Sequence, residues 1–186
     1  MDLPRVTLDE FLRWDPCWAN NDTGMRRLRY YARKLGGSAN ALDILRLNRI
    51  SSDDRLWAVL REELIPAAIL HEFACRCADR ALQRADNPDP RSIAAVEAKR
   101  KWLRGEISDQ ELAAACRAAR SAEWHATRAT GREAAWSSAY YDAQASAWGA
   151  AQEAARDAAL DAALDAEQKE QIKILISMLE EYECAT

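Results

Sequence analysis

Apolar residues recur at intervals of three and four along much of the chain, which is the spacing typical of amphipathic α-helices. Residues 66–84 show this spacing, with Ile69, Leu70 and Phe73 on one face. Residues 167–183 repeat it. The side chains predicted to be buried there are Ile172, Leu175, Ile176 and Leu179. Both segments are therefore predicted helices with one apolar face turned toward a core.

Capping residues divide the first half of the chain into short helices. Thr7, Ser38 and either Ser51 or Ser52 are predicted N-caps, because their hydroxyls accept a free amide at the start of a helix. The pair Gly36-Gly37 is predicted to end the second helix. The helices predicted in this half are residues 8–14, 25–35, 39–47, 53–63 and 66–84.

Helix signals continue into the second half. Asp89 followed by Pro90 predicts a helix over residues 91–104. The residues on its predicted buried face are Ile93, Val96, Arg100 and Leu103. Ser108 with Glu111 three residues later forms a capping-box pattern, which starts the next helix.

Alanine changes the picture after residue 110. The chain has 38 Ala but only 12 Val and Ile together, a balance that favours helix over sheet. Residues 109–164 carry alanine on most faces, with breaks predicted near residue 130 and near residue 149 or 165. Two rows of alanine at four-residue spacing predict close helix packing. The rows are Ala114, Ala118, Ala122 and Ala126, and Ala151, Ala155, Ala159 and Ala163.

These patterns predict an all-α protein, a bundle of about seven to nine helices with an alanine-rich, tightly packed C-terminal half. Residues 1–186 are predicted to form a single helical domain, in which an N-terminal subregion, 1–63, packs on a bundle formed by 64–186. No apolar run is long enough to span a bilayer, and the first residues lack the pattern of a signal peptide. We therefore expect a cytoplasmic protein without membrane contact.

Charge is distributed unevenly along the chain. Residues 1–105 carry 19 Lys and Arg against 15 Asp and Glu, whereas residues 106–186 carry 7 against 15. This asymmetry fits three interpretations: steering of a charged partner, packing of the two halves on each other, and simple solvation of helix faces.

Two charged surfaces are candidate binding sites. The acidic row, spaced by four residues, consists of Asp157, Asp161 and Asp165, and it is the predicted contact surface for a protein partner. The basic helix 25–35 follows a predicted loop at residues 20–24 and places cations around Tyr30 and Tyr31, a pattern that also occurs in nucleic-acid-binding proteins. Its cations are Arg26, Arg27, Arg29, Arg33 and Lys34.

Cysteine and histidine offer a third kind of chemistry. His71 and Cys75 are four residues apart, so they share a helix face, as zinc ligands often do. Cys77, however, points away from that face, and no pair with two-residue ligand spacing is present. The five cysteines have no disulfide-framework spacing, so we expect reduced, buried thiols, no metal and no cofactor.

Three segments in the middle of the chain carry a family resemblance. Their motifs are Phe73-Ala74-Cys75-Arg76-Cys77-Ala78, Lys99-Arg100-Lys101-Trp102 with Gly105-Glu106, and the alanine-rich run that begins at Leu112. Over about residues 64–160 the chain resembles the all-helical immunity proteins of bacterial polymorphic-toxin systems and phage-like genomes. The resemblance implies a noncatalytic, cytoplasmic protein that neutralises an effector by binding it.

The function expected from the sequence is therefore neutralisation of a protein effector, such as a toxin or nuclease, without catalysis. One alternative is a phage-encoded inhibitor of bacterial defence, such as an anti-CRISPR protein, whose partner would be a defence complex. A second alternative is a nucleic-acid-binding regulator that uses the basic helix 25–35, although the overall negative charge makes nucleic acid the less favoured partner. Homodimerisation through the alanine rows is a further expectation.

Overall fold

The computed structural model describes residues 2–16, 19–85, 88–127 and 161–185. Within these ranges the chain forms eight helices and one pair of very short strands, which confirms the predicted all-α bundle. The helices are α1 (Leu8–Leu12), α2 (Asp22–Lys34), α3 (Ala41–Leu45), α4 (Ser52–Val59), α5 (Ala67–Arg84), α6 (Pro90–Leu103), α7 (Asp109–Thr127) and α8 (Asp161–Cys184). The strands are β1 (Val6–Thr7) and β2 (Ser38–Ala39), which pair antiparallel.

Most of the predicted helix starts are confirmed. The Thr7 hydroxyl caps α1 and the Glu10 carboxylate returns to the Thr7 amide at 2.8 Å, which completes a capping box. Ser51 caps α4, and Asp89 caps α6 with Pro90 in its first turn. Ser108 and Glu111 form the predicted capping box before α7.

Two helix starts were predicted wrongly. Residues 20–24 are not all loop, because the Asn21 side chain accepts a hydrogen bond from the Gly24 amide and α2 begins at Asp22. Ser38 does not cap α3, because it lies in β2 opposite Thr7. Asn40 takes that role, and its side chain accepts from the Asp43 amide at 2.9 Å.

The helix predicted at 53–63 ends earlier than expected, at Val59. Beyond it a tight turn carries Leu64 and Ile65 into the core, where both are fully buried. Arg61 stabilises this turn, since its guanidinium lies 4.4 Å from the Trp14 ring centroid and 4.3 Å from that of Trp57. Cation–π contact with both rings therefore ties the turn to Trp14, just beyond the end of α1, and to α4.

The main hydrophobic core lies between β1, α1, α3, α4, α5 and α8. The last helix supplies its middle, with Ile172, Leu175 and Leu179 buried as predicted. Met178 is buried as well, whereas Ile176 is only half-buried at the edge of the core. Because α8 is continuous, no break occurs at residue 165.

Helices α6 and α7 pack beside this core through small side chains. Ala95 of α6 meets Cys116 and Ala119 of α7, and all three are buried. The first two members of the predicted alanine row, Ala114 and Ala118, are exposed and do not belong to this contact. The side chains of the other two members, Ala122 and Ala126, are outside the described part of the structure. So are the predicted alanine row from 151 to 163 and the predicted breaks near residues 130 and 149.

The buried face of α6 was also predicted wrongly in part. Val96 is buried as expected, but Ile93 remains 40% exposed. Lys99 is buried instead, at 6% exposure, and its ammonium group lies 4.0 Å from the centroid of the Trp102 ring. The aromatic ring stabilises the buried cation, and the apolar stem of Lys99 forms part of the buried face of α6.

Candidate partner-binding surface

Helix α2 lies on the surface of the molecule, and none of its residues is buried. Its N-terminus is capped by Asn21. At its C-terminus Gly36 and Gly37 have φ angles of 76° and 90°, and the Gly37 amide donates to the Ala32 carbonyl at 2.8 Å. These glycines reverse the chain from α2 directly into β2, which confirms their predicted role as a helix stop.

The cations of α2 are concentrated on its solvent face. Arg26, Arg29 and Arg33 follow one another at intervals of three and four residues, so they share one face of the helix. Tyr30 lies between them and is 53% exposed. Its ring contacts that of Tyr31 edge to face, with 5.2 Å between the centroids. We name the group formed by Arg26, Arg29, Tyr30 and Arg33 the cationic face.

The positive charge of this face is not neutralised within the described part of the chain. None of its three arginines lies within ion-pair distance of a carboxylate there. Arg26 and Arg33 instead donate to backbone carbonyls one turn earlier, both at 3.2 Å. These bonds hold the side chains along the helix and leave their charge directed at solvent.

Several arginines elsewhere in the described structure are paired with carboxylates of another helix. Arg80 and Arg84 of α5 both pair with Glu167 of α8, whose side chain is 4% exposed. Arg46 pairs with Glu180 at 2.6 Å. The cation-rich front half therefore packs on the acidic last helix, as one interpretation of the charge asymmetry had proposed.

A second paired arginine lies between α5 and α6. Arg100 donates to Glu72 at 3.1 Å and to Asp79 at 2.7 Å. Its burial lowers the pKa of the guanidinium, but the hydrogen bonds that it donates to Asp79 and Glu72 raise it, and the net result is a raised pKa. The three arginines of the cationic face, in contrast to these paired arginines, have no carboxylate partner among the described residues.

The acidic row predicted to bind a partner is placed only in part. Asp157 and the side chain of Asp161 lie outside the described part of the chain. Asp165 is half-exposed, accepts from the Ser52 hydroxyl at 3.0 Å and pairs with Lys169. These bonds, from Lys169 first and Ser52 second, hold the pKa of the Asp165 carboxyl below its usual range. Asp165 thus contributes to joining α8 to the start of α4.

The inner side of α2 covers an apolar cavity of about 290 Å³. Leu28, Tyr31 and Leu35 line it from α2, and all three are half-buried. Phe11 and Ile44 line the opposite wall. Arg27, on the edge of α2 between the polar and apolar sides, also reaches this cavity, whereas Lys34 is exposed on the same edge and does not line it.

The thiol and imidazole candidates lie apart from this surface. Cys75 and Cys77 are buried, and burial raises the pKa of both thiols, that of Cys75 to about 11. The His71 ring packs edge to face on Trp102, with 5.8 Å between the centroids. Among the described residues no three His, Cys, Asp or Glu side chains converge as a metal site would require.

Comparisons of the chain with family models, with curated proteins and with solved structures found no match. The resemblance to immunity proteins stays a prediction. None of the helices in the described ranges combines the length and the apolar character needed to cross a membrane.

Sequence reasoning found the cations of α2 but not the cavity beneath them. A signal for it was present, since Leu28, Tyr31 and Leu35 repeat at three- and four-residue intervals opposite the cationic face. The cavity itself depends on α1, α3 and α4, which lie elsewhere in the sequence. No local pattern reports how closely such elements pack.

Proposed function

We propose that this protein is a noncatalytic binding protein that neutralises a protein effector, and that it contacts the effector through the cationic face of α2. The observation that carries the proposal is the exposed Tyr30 surrounded by uncompensated arginines. Tyrosine and arginine are the residue types that most often dominate binding energy at protein interfaces. Charge that is not paired internally is available to attract an acidic partner.

A protein partner is favoured over nucleic acid by the charge of the whole chain. The formal net charge is −4, which disfavours association with the phosphate backbone of nucleic acid. An acidic patch on a protein needs to match only the cationic face. We propose that the effector is a toxin, a nuclease or a defence complex.

The decisive experiment is coexpression with each toxic product of the genes that neighbour this one. We expect the wild-type protein to restore growth of cells that produce the effector. Persistent killing in the presence of folded, expressed protein would refute the proposal. Binding of the purified pair by calorimetry then provides the affinity against which variants are measured.

A charge-reversal pair locates the surface. Arg26→Glu with Arg29→Glu should weaken effector binding at least about tenfold, because it replaces attraction with repulsion at the contact. The matched control is Lys101→Glu with Arg117→Glu, which makes the same change in net charge at exposed positions of α6 and α7. Equal losses in both variants would show that only net charge matters and would exclude the cationic face as the contact.

Nucleic acid is tested in the same series. One result would replace this proposal with a nucleic-acid-binding regulator. In that result the wild type retains DNA in a salt-dependent manner, the Arg26→Glu, Arg29→Glu variant does not, and no binding to the effector is measured. Absence of DNA retention at low salt supports a protein partner.

A further inference from the structure

The cavity under α2 has the dimensions and the lining of a small-ligand site. Six elements surround it: the strands β1 and β2 and the helices α1, α2, α3 and α4. Its walls are mostly apolar, with Phe11, Leu28, Ile44 and Ile50 among the lining side chains. Pockets of this kind, apolar with few polar groups, are typical of sites for small amphiphilic molecules.

The volume limits the size of the occupant. At about 290 Å³ the cavity is roughly twice the size of an apolar cavity that holds one benzene ring. A single chain of about ten carbons fits this space, whereas the two long chains of a bilayer lipid do not. Burial of such a chain would remove from water the half-exposed apolar side of α2.

The charge at the edge of the cavity determines which polar group a bound molecule should carry. Arg27 lines the cavity, has no carboxylate within ion-pair distance in the described residues, and belongs to a helix rich in cations. Asp54 also lines the cavity, but its carboxylate accepts from the Ser51 hydroxyl at 2.7 Å and lies in the first turn of α4, where the helix dipole offsets its charge. The uncompensated group is therefore the Arg27 guanidinium, which favours an anion.

We propose that the cavity binds one medium-chain carboxylate, with the chain between α2 and the α3–α4 wall and the carboxylate on Arg27. This site is separate from the effector surface, since Arg26 and Arg29 do not line the cavity. The two proposals can therefore fail independently. Loss of carboxylate binding would leave the effector experiment unchanged.

The test uses decanoate below its micelle concentration, titrated by calorimetry into the full-length protein. We expect saturable binding of one decanoate per chain. Arg27→Gln should weaken it about tenfold, because a charge-assisted hydrogen bond is lost. Arg26→Gln is the matched control on the same helix and should change the affinity less than about twofold. Decanol should bind the wild type and the Arg27→Gln variant equally.

A second variant tests the cavity itself. Ala32→Leu fills part of the cavity from α2 with a residue that favours helix, so the fold is expected to persist. Decanoate binding should be abolished while the circular dichroism spectrum and the urea midpoint stay at the wild-type values or rise. Unchanged decanoate affinity in this variant would overturn the proposal.

Three other outcomes would also overturn it. These are the absence of any decanoate binding at millimolar concentration, equal losses in the Arg26→Gln and Arg27→Gln variants, and binding of many decanoate molecules per chain. Cosedimentation with vesicles of phosphatidylglycerol but no stoichiometric decanoate site would assign α2 to a membrane surface instead.

Discussion

At the residue scale, Glu167 shows how a single buried carboxylate joins distant parts of the chain. It is 4% exposed and accepts two hydrogen bonds from Arg80, both at 3.1 Å, while Arg84 pairs with the same group. The two-pronged geometry fixes the rotation of α8 against α5. The three side chains lie at the edge of the core, where both arginines remain partly exposed to water.

We predict that Glu167→Gln lowers the free energy of unfolding by about 1–3 kcal/mol, because two arginines lose their anionic partner. The measurement is urea denaturation, with an unchanged slope taken as the sign of a simple stability effect. Glu97→Gln, at an exposed position of α6, is the matched control. A midpoint shift no larger than that of the control would mean that Glu167 contributes no net stability.

Residue-level prediction from sequence succeeded where the chemistry is local. Thr7 with Glu10 and Ser108 with Glu111 are recognisable because both partners of each capping box lie within four residues. It failed at Ser38, whose role is decided by β1, more than thirty residues earlier. A serine that would cap a helix in isolation is an equally good strand residue when a partner strand is present.

At the element scale, the bounds of the helices were more predictable than their buried faces. In amphipathic segments such as α5 and α8 the buried face can be predicted from the sequence, because the opposite face is charged. In α7 alanine lies on several sides, so Ala114 and Cys116 were equally suitable for contact. Their neighbours in α6 decide between them, and the sequence of α7 alone does not contain that information.

Helix α2 depends on the reversal at its C-terminus. Gly37 has a φ of 90°, so Gly37→Ala should destabilise the protein by about 1–2 kcal/mol through backbone strain. No atom lies within 4 Å of an added Cβ at this position, so steric contact does not explain the loss. Gly37→Asn should be milder, because asparagine tolerates positive φ. Thermal unfolding of the two variants measures the difference, and equal stabilities would contradict the strain argument.

At the scale of the whole molecule, the sequence predicts which residues form the candidate surface but not whether their charges are paired. The sequence places five cations in α2. It does not reveal that Arg80 and Arg84 of α5 pair with Glu167 of α8, while the arginines of α2 have no carboxylate partner among the described residues. That distinction needs the packing of residues more than eighty positions apart. For the same reason the sequence does not reveal that Asp165, predicted to contact a partner, accepts a hydrogen bond from Ser52.

Carboxylates also set the response of the protein to acid. Among the described residues, six carboxyl groups have a pKa held below its ordinary value by hydrogen bonds from cations, from hydroxyls or from helix-start amides. They are Glu10, Asp89, Glu106, Glu111, Asp165 and Glu170. Asp53 is the opposite case, since burial raises the pKa of its carboxyl. The balance favours groups that bind protons more readily in the unfolded chain than in the folded one.

Stability should therefore be highest near neutral pH and should fall as the pH drops below about 5 and passes through the lowered pKa values. The sign follows because the unfolded chain takes up more protons than the folded one in that range. Urea midpoints measured between pH 7 and pH 3 test this expectation. A midpoint that stayed constant or rose on acidification would show that these hydrogen bonds do not persist in solution.

The position of α8 in the core has a consequence for how the protein is made. The apolar faces of α3, α4 and α5 emerge from the ribosome well before Ile172 of α8, which is buried against the same core. At ordinary rates of synthesis the interval is on the order of ten seconds. During that time these apolar faces lack the cover that α8 later supplies, and exposed apolar surface of this kind is what chaperones recognise. The contact of Arg46 with Glu180, 134 positions later, then closes one of the longest loops in the fold.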